Sequence, residues 1–543
     1  MLRWGIGLLL AGSLVACNEV PKRSAEDMTA LSQTGASYIA PATLAAPLPD
    51  LAVALRNGDT TSENLTQAYL DRITDIDRVG PTLRSVLSVN PDALDQARAS
   101  DDRRASGATL GPLDGLPILI KDNIETLDPM ATTAGALALK DNVTRRDSPL
   151  VAGLRGQGAV ILGKTNLSEW ANFRSNDSVS GWSALGGQVR NPHILDRSPC
   201  GSSSGTGAAI AAALAAGGVG TETNGSIICP SNVNGIVGFK PTVGLIPTTL
   251  IVPISASQDT AGPMTRSVEG AAMMLNAMAA SQGTDFTAKL APGALSGKTV
   301  GVLRFAQGSN ADIIERFEAA LADLEAAGAR LVEVADFAPA TEDFGQKALT
   351  VLLHEFKAGL NTYLSGAANR VPVSSLNELI SFNRTHAKDE LVLFGQDLFE
   401  AADAKGDLTD SAYLDASRAI RAATRQRGLD ALLAEAGADV LVAPSGPLAP
   451  PVDAVNGDIW PDWAGAGSLA AIAGYPHLTV PMGHVRGVPI GLSFIGSQDR
   501  DADVLAYGYA YEQATRHLRT PSYLPSAEAY PETGSAMNGL MSD

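Results

Sequence analysis

The stretch from Ser198 to Ile246 is dense in serine, threonine and glycine, and two short runs within it carry the residue types of acyl-transfer chemistry. The first is Gly201-Ser202-Ser203-Ser204-Gly205. The second, roughly two dozen residues on, is Thr223-Asn224-Gly225-Ser226. Small residues let backbone approach a ligand closely, and consecutive glycine and hydroxyl residues supply both N–H nests and nucleophiles. A hydroxyl nucleophile needs a base. The downstream histidines His354, His386, His477, His484 and His517 each read more simply as surface or core residues. Lys121 is the remaining candidate, because it ends the apolar run at 116–120 and Asp122 follows it. Desolvation lowers a lysine pKa, and a neutral lysine takes a proton from a hydroxyl. A drop of roughly three units costs about 4 kcal/mol. On spacing alone, a solvated charge at a strand end stays the simpler account of the lysine, and a loop that of the Ser/Gly runs.

Two familiar patterns match and fail on physical grounds. Gly158-Ala-Val-Ile-Leu-Gly163-Lys164-Thr165 fits the phosphate loop GxxxxGK[ST], but its four intervening residues are apolar and strand-like, suited to a buried ladder rather than an open anion nest. Gly201-Ser202-Ser203-Ser204-Gly205 fits the G-x-S-x-G elbow, with Ser203 as its nucleophile. That elbow needs a strand immediately before it, and residues 191–200 carry two prolines and no alternation.

The elements that must hold these residues read as α/β units. Thr60 with Glu63 resembles a capping box opening a helix to about 76, and 91–98 reads as another helix. Strands are expected at 116–120, 159–162, 219–221, 235–239, 299–304, 330–334, 439–443, 477–481 and 488–495. Helices are expected from 168, from 206, over 311–327 and over 501–517. Residues 340–435 read as mostly helical, a cover over a site, and the tail at 521–543 reads as loose. No internal repeat or Pro/Ser-rich linker interrupts 46–520, which reads as one large domain although length alone suggests roughly three or four.

The chain has 543 residues, 45% hydrophobic, and its 40 Lys and Arg against 58 Asp and Glu leave a net charge of −18. That excludes a disordered chain and argues against general nucleic-acid binding. Three cysteines cannot build a disulfide framework, and six histidines without HxxxH or CxxC argue against a dedicated metal site. Residues 1–17, MLRWGIGLLLAGSLVAC, put one arginine before a short apolar run, as in an export signal. The ending at Cys17 resembles a bacterial lipobox, which implies a lipidated Cys17 and a membrane-anchored envelope protein, with 18–45 as a tether and no other membrane contact. Export would leave Cys200 and Cys229 in an oxidising compartment, where they either bridge or remain buried thiols; sequence does not decide, and buried thiols are the favoured reading.

Several longer runs resemble the amidase signature family: Gly111-Pro-Leu-Asp-Gly-Leu-Pro-Ile-Leu-Ile-Lys121-Asp-Asn123, Gly163-Lys-Thr-Asn-Leu-Ser-Glu-Trp-Ala171, Ser198-Pro-Cys-Gly-Ser-Ser-Ser-Gly205, Gly220-Thr-Glu-Thr-Asn-Gly-Ser-Ile227 and Gly238-Phe-Lys-Pro-Thr-Val-Gly244. The resemblance is strong over 46–305 and weaker over 438–517. It implies a large mixed central β-sheet covered by helices on both faces, and hydrolysis of an amide without metal or cofactor. The family's catalytic lysine falls on Lys121, its cis-serine on Ser202 and its nucleophile on Ser226. The oxyanion hole falls on the backbone of Thr223, Asn224, Gly225 and Ser226, with Ser203 as a supporting residue. Asn224 stands where many members have glycine. Ile228 stands where many have an arginine that, in the tRNA-dependent amidotransferase, helps hold an amino acid, and this weighs against that role. Asn166–Arg174, Gly181-Trp-Ser183 and Ser257–Gly262 look most like bacterial peptide amidases, which remove ammonia from C-terminal peptide amides. Arylacylamidase or fatty-amide hydrolase is the alternative within the family; an amide-binding envelope lipoprotein without catalysis is the alternative outside it. Trp170 and Trp182 are expected to crowd the leaving-group side.

Overall fold

The computed structural model describes residues 39–279 and 283–538. The signal and lipobox reading, including Cys17, and the tether up to residue 38 lie outside the described residues. Among those described, eleven strands form one mixed sheet. In chain order they are β1 (Val86–Val89), β2 (Pro117–Lys121), β3 (Val160–Thr165), β4 (Gly217–Glu222), β5 (Val237–Lys240) and β6 (Thr260–Thr265). They continue with β7 (Thr299–Leu303), β8 (Arg330–Val334), β9 (Val440–Pro444), β10 (His477–Val485) and β11 (Val488–Ile495). Across the sheet the order is β1-β3-β2-β4-β6-β5-β10-β11-β9-β7-β8. The run β3-β2-β4 is parallel, the middle from β4 to β9 is antiparallel, and β9-β7-β8 is parallel again.

Burial explains which runs became strands. Every residue of β2, β3 and β4 is buried, as expected of strands packed on both faces. β4, GGVGTE, would be a poor strand by propensity, but its small residues let helix Ser204–Ala211 lie close on it. A Cβ on Gly218 would come within 2.6 Å of Thr206 Cγ2. The run at 158–165 is the buried strand β3 and no phosphate loop, with Lys164 Nζ donating to Thr132 Oγ1 at 2.9 Å.

Several local expectations are corrected. Thr61, not Thr60, caps helix Ser62–Arg72, accepting the Asn64 N–H at 3.1 Å, while Glu63 pairs with Arg98 instead of closing a capping box. No long helix starts at Ser168. Residues Glu169–Asn172 form one tight turn in which Trp170, Ala171 and Asn172 have positive φ. The ordered body begins before 46, in helix Pro41–Leu44 with Leu44 buried. The tail is not loose at its start, because backbone pairing docks it: Tyr523 and Leu524 donate to Pro192 and His193 carbonyls (3.0 and 3.2 Å), and Leu195 donates back to Leu524 (2.8 Å). β1, β6 and helix Val268–Met278 are elements that the sequence reading did not expect.

Residues 340–435 are helical, with Phe344–Ser365, Leu376–Thr385, Asp397–Asp403 and Ser411–Thr424 as the main pieces. Leu353, Phe356, Leu360 and Phe399 from this region share a core with Trp170, Phe173, Val252 and Ile254. The helices therefore rest on the loops beside the Lys121 end of β2.

Candidate active site

Lys121 is the last residue of β2 and is fully buried. Its Nζ lies 2.8 Å from Ser202 Oγ, 2.9 Å from Thr221 Oγ1 and 3.3 Å from Thr221 O. Burial pulls its pKa down to about 7, against the charges of Glu222 and Asp259, which raise it. The ammonium is therefore half neutral near physiological pH, where a solvated lysine would be fully charged. Asn123 Nδ2 donates to the same Thr221 Oγ1 at 2.9 Å.

Ser202 follows a cis peptide bond at Gly201 and lies ahead of helix Ser204–Ala211. Its carbonyl accepts the Ser168 N–H at 3.0 Å. No strand runs directly into it, so the elbow reading of this run fails in the structure as well. Ser203 acts as the splice. Its hydroxyl donates to Thr221 O (3.1 Å) and accepts the Thr221 N–H (3.2 Å), and its own N–H donates to Ser226 O (3.1 Å). A Cβ on Gly220 would come within 2.9 Å of Ser203 Oγ, so the strand has to be side-chain-free there.

Ser226 sits at the end of the turn that leaves β4, and Gly225 ahead of it has φ +83, a conformation that favours glycine. Glu222 holds the far side of this turn, its Oε2 accepting the N–H groups of Ile227 (2.7 Å) and Ile228 (3.0 Å). Among the described residues, none of the N–H groups of Thr223, Asn224, Gly225 and Ser226 donates to another protein atom, and neither does the Ser226 hydroxyl. Ser226 retains 8% exposure, whereas Lys121 and Ser202 have none. Lys121 and Ser202 are thus in direct contact, and Ser226 is joined to them through Ser203 rather than by a hydrogen bond of its own.

Two cavities border this turn, one at Glu222 and Thr223 and the other at Asn224 and Gly225. A cavity of about 120 Å³ is lined by Ser202, Thr221, Glu222 and Thr223, with Ile251, Val252 and Ile254 as its apolar wall. A larger, more open one of about 380 Å³ is lined by Gly201, Asn224, Gly225, Asn172, Trp460 and Trp463. Trp170 and Trp182 line neither. Trp170 packs edge-on against Phe399, and Trp182 against Phe394 over the buried Arg174, so the expected crowding by this pair is not found.

Cys200 and Cys229 form a disulfide, the less favoured of the two alternatives that the sequence left open. The two loops they flank converge once β4 and helix Ser204–Ala211 pack, which brings their Cα atoms to 5.9 Å. Sequence reasoning also gave no role to Asp259, which lies within the run 257–262. Asp259 accepts the Thr223 hydroxyl (2.6 Å) and the N–H groups of Ile254 (2.8 Å) and Ser255 (2.9 Å), and burial pushes its pKa up to about 6. Thr221 and Asn123 were visible only as members of the family-like runs.

Comparison with known proteins agrees with this picture. The Amidase family model matches residues 64–505. The native peptide amidase of Stenotrophomonas maltophilia has 47% sequence identity and a TM-score of 0.83, covering 88% of this chain and 98% of that one. A probable amidase of Arabidopsis thaliana is 35% identical over 503 residues, 88% of this chain and 92% of its own. A putative amidase of Schizosaccharomyces pombe is 33% identical over 508 residues, 86% of this chain and 85% of its own. The buried Lys–Ser contact, the mixed sheet and these matches together make the chain a member of the amidase signature family, an amide hydrolase.

Proposed function

We propose that Ser226, Ser202 and Lys121 form a Ser-cisSer-Lys triad that releases ammonia from C-terminally amidated peptides. The observation that carries this reading is the fully buried Lys121 Nζ at 2.8 Å from Ser202 Oγ, held near neutrality at about 7. Ser226 Oγ attacks the amide carbonyl while its proton passes through Ser202 to neutral Lys121. The oxyanion develops against the N–H groups of Thr223–Ser226, whose freedom from protein partners supports this role. The proton then leaves with the amine as ammonia, and water hydrolyses the acyl-serine. Ser203 keeps both serine loops in register. The likeness to the peptide amidase and the disparity between the two cavities support a peptide acyl group in the larger one and a small leaving group.

The test of the triad is Ser226→Ala. It should abolish turnover and labelling by a fluorophosphonate; near-full activity would remove Ser226 as nucleophile. The test of the substrate pairs an amidated peptide with its free-acid twin. Ammonia with a mass gain of about one dalton on the amide alone supports the reading, since hydrolysis exchanges NH2 for OH. Internal fragments, or hydrolysis confined to anilides or fatty amides, overturn it.

We also infer export and lipid anchoring at Cys17. The apolar run ending in LVAC supports it, as does the Cys200–Cys229 bridge, a bond typical of oxidising compartments. Mass spectrometry of the mature N-terminus decides: a lipidated Cys17 is expected, and an intact Met1 contradicts it.

A further inference from the structure

The 380 Å³ cavity is lined by glycine, serine, asparagine and apolar residues, with Asp458 as its sole charged side chain. The carboxylate is fixed rather than free to swing: Oδ2 accepts the Ser180 N–H at 3.0 Å and the Trp460 indole N–H at 3.4 Å. Among the described residues, no lysine or arginine makes a salt bridge to it. Trp460 and Trp463 stand beside it on the same loop, edge to face with ring centroids 5.7 Å apart, and Trp463 is 46% exposed. Partial burial raises the Asp458 carboxyl above its ordinary pKa, the mark of a carboxylate held without a counter-charge. A half-buried carboxylate backed by indole rings, in a cavity with no other charge, is matched by a cation: the carboxylate supplies attraction and direction, and the aromatic faces add cation–π attraction. Asn224 and Gly225, in the turn before Ser226, line the same cavity, so an acyl chain held at Ser226 would extend toward it.

We propose that Asp458, with Trp460 and Trp463, forms a subsite for a positively charged group on the acyl part of the substrate, so that amides bearing an ammonium or guanidinium group are preferred. This rests on the reading of the larger cavity as the acyl side. The cation has two sources, the α-ammonium of a short peptide or the side chain of lysine or arginine.

The experiment measures kcat/KM for matched peptide amides on the full-length enzyme. One arm compares a free with an acetylated N-terminus. A second arm, acetylated throughout, compares lysine, norleucine and glutamate at successive positions before the amide. The cationic member of at least one pair should be favoured about tenfold, a ratio that 1.4 kcal/mol gives. The arm in which this occurs identifies the source. In Asp458→Asn the ratio should fall toward one, and in Asp458→Glu it should be largely kept. The preference should shrink as salt rises. Equal kcat/KM for cationic and neutral members in the wild type overturns the subsite, and so does an Asp458→Asn variant that slows both members in parallel and leaves their ratio intact. Failure of the peptide-amidase reading looks different. Ammonia would then be released from no peptide amide, and the same ratio is read on lysine and norleucine anilides, where its presence or absence decides the subsite separately.

Discussion

Lys121 is expensive to bury, and the proposed mechanism uses the neutral amine that burial produces. Moving its pKa from 10.5 to about 7 corresponds to about 5 kcal/mol. The sign follows from proton counts: between about 7 and 10.5 the unfolded chain binds the proton and the folded one has lost it, so this penalty is full below about 7 and is relieved as pH rises. Lys121→Met should therefore unfold at higher temperature than wild type at pH 6, with the gap closing toward pH 10; a gap constant across that range would place the lysine's pKa near its ordinary value. The same titration sets catalysis. In the proposed triad Lys121 works as a base only when neutral, so kcat/KM should rise with pH, reach half its plateau at about 7, and stay high above it. A pH–rate profile that falls through this range would remove the lysine as base. If the proposed triad holds, Lys121→Ala should lose about three orders of magnitude or more in kcat.

At the scale of elements, the site depends on two short loops that cannot fix themselves. The disulfide ties the residue two before Ser202 to the residue three after Ser226, closing a separation of 29 residues. Cys200→Ser with Cys229→Ser should lower stability by about 2–4 kcal/mol in denaturant unfolding and reduce activity in the folded protein. Unchanged midpoint and turnover would make the bridge incidental. Asp259 anchors the other side of the same turn through the Thr223 hydroxyl, and the loop carrying it is clasped by Glu355 of helix Phe344–Ser365, which accepts the Ser257 N–H at 3.0 Å and the Tyr413 hydroxyl at 2.8 Å. Thr223→Val keeps the shape and removes that anchor. It should cost about 1–3 kcal/mol, and the loss should appear mainly in kcat, because in the proposed mechanism the N–H groups of the turn meet the oxyanion. A change in KM alone would mean that Thr223 only shapes the ground-state cavity.

At the scale of the whole molecule, the sheet puts Lys121 and the Ser226 turn side by side. β2 and β4 are parallel neighbours, so their C-terminal ends, Lys121 and Glu222, open toward the same edge. Helix Ser204–Ala211 packs on these strands and carries Ser202 and Ser203 to that edge. The helices of 340–435 rest on Trp170, Phe173, Val252 and Ile254, beside the edge at which the fully buried Lys121 lies. Phe356→Ala opens that core and should cost about 3–5 kcal/mol in stability; if the core also shields the proposed base, the pH–rate midpoint should move upward as water reaches Lys121. A midpoint unmoved in a destabilised but folded variant would separate the two.

Much of this was legible in the chain. Apolar runs such as 116–120 and 159–162 announce buried strands because continuous hydrophobicity has to be buried, and the runs around Lys121, Ser202 and Ser226 name the family because several matched in order. The rest depends on distances between residues far apart in sequence. Whether Lys121 is solvated or desolvated is decided by its contacts with Ser202 and Thr221, about 80 and 100 residues away, which no local pattern encodes. The same holds for Cys200 with Cys229, for Asp259 with Thr223, and for β4, a glycine-rich strand that only the approach of helix Ser204–Ala211 makes favourable. Trp170 and Trp182 were visible as residues but not as core, and Trp460 and Trp463 reached the cavity wall only through the packing of a loop without periodicity. Sequence determined which groups were present and the chemistry they allow. Tertiary structure alone decided which of them lost their water and met, because desolvation and proximity are properties of the packed chain.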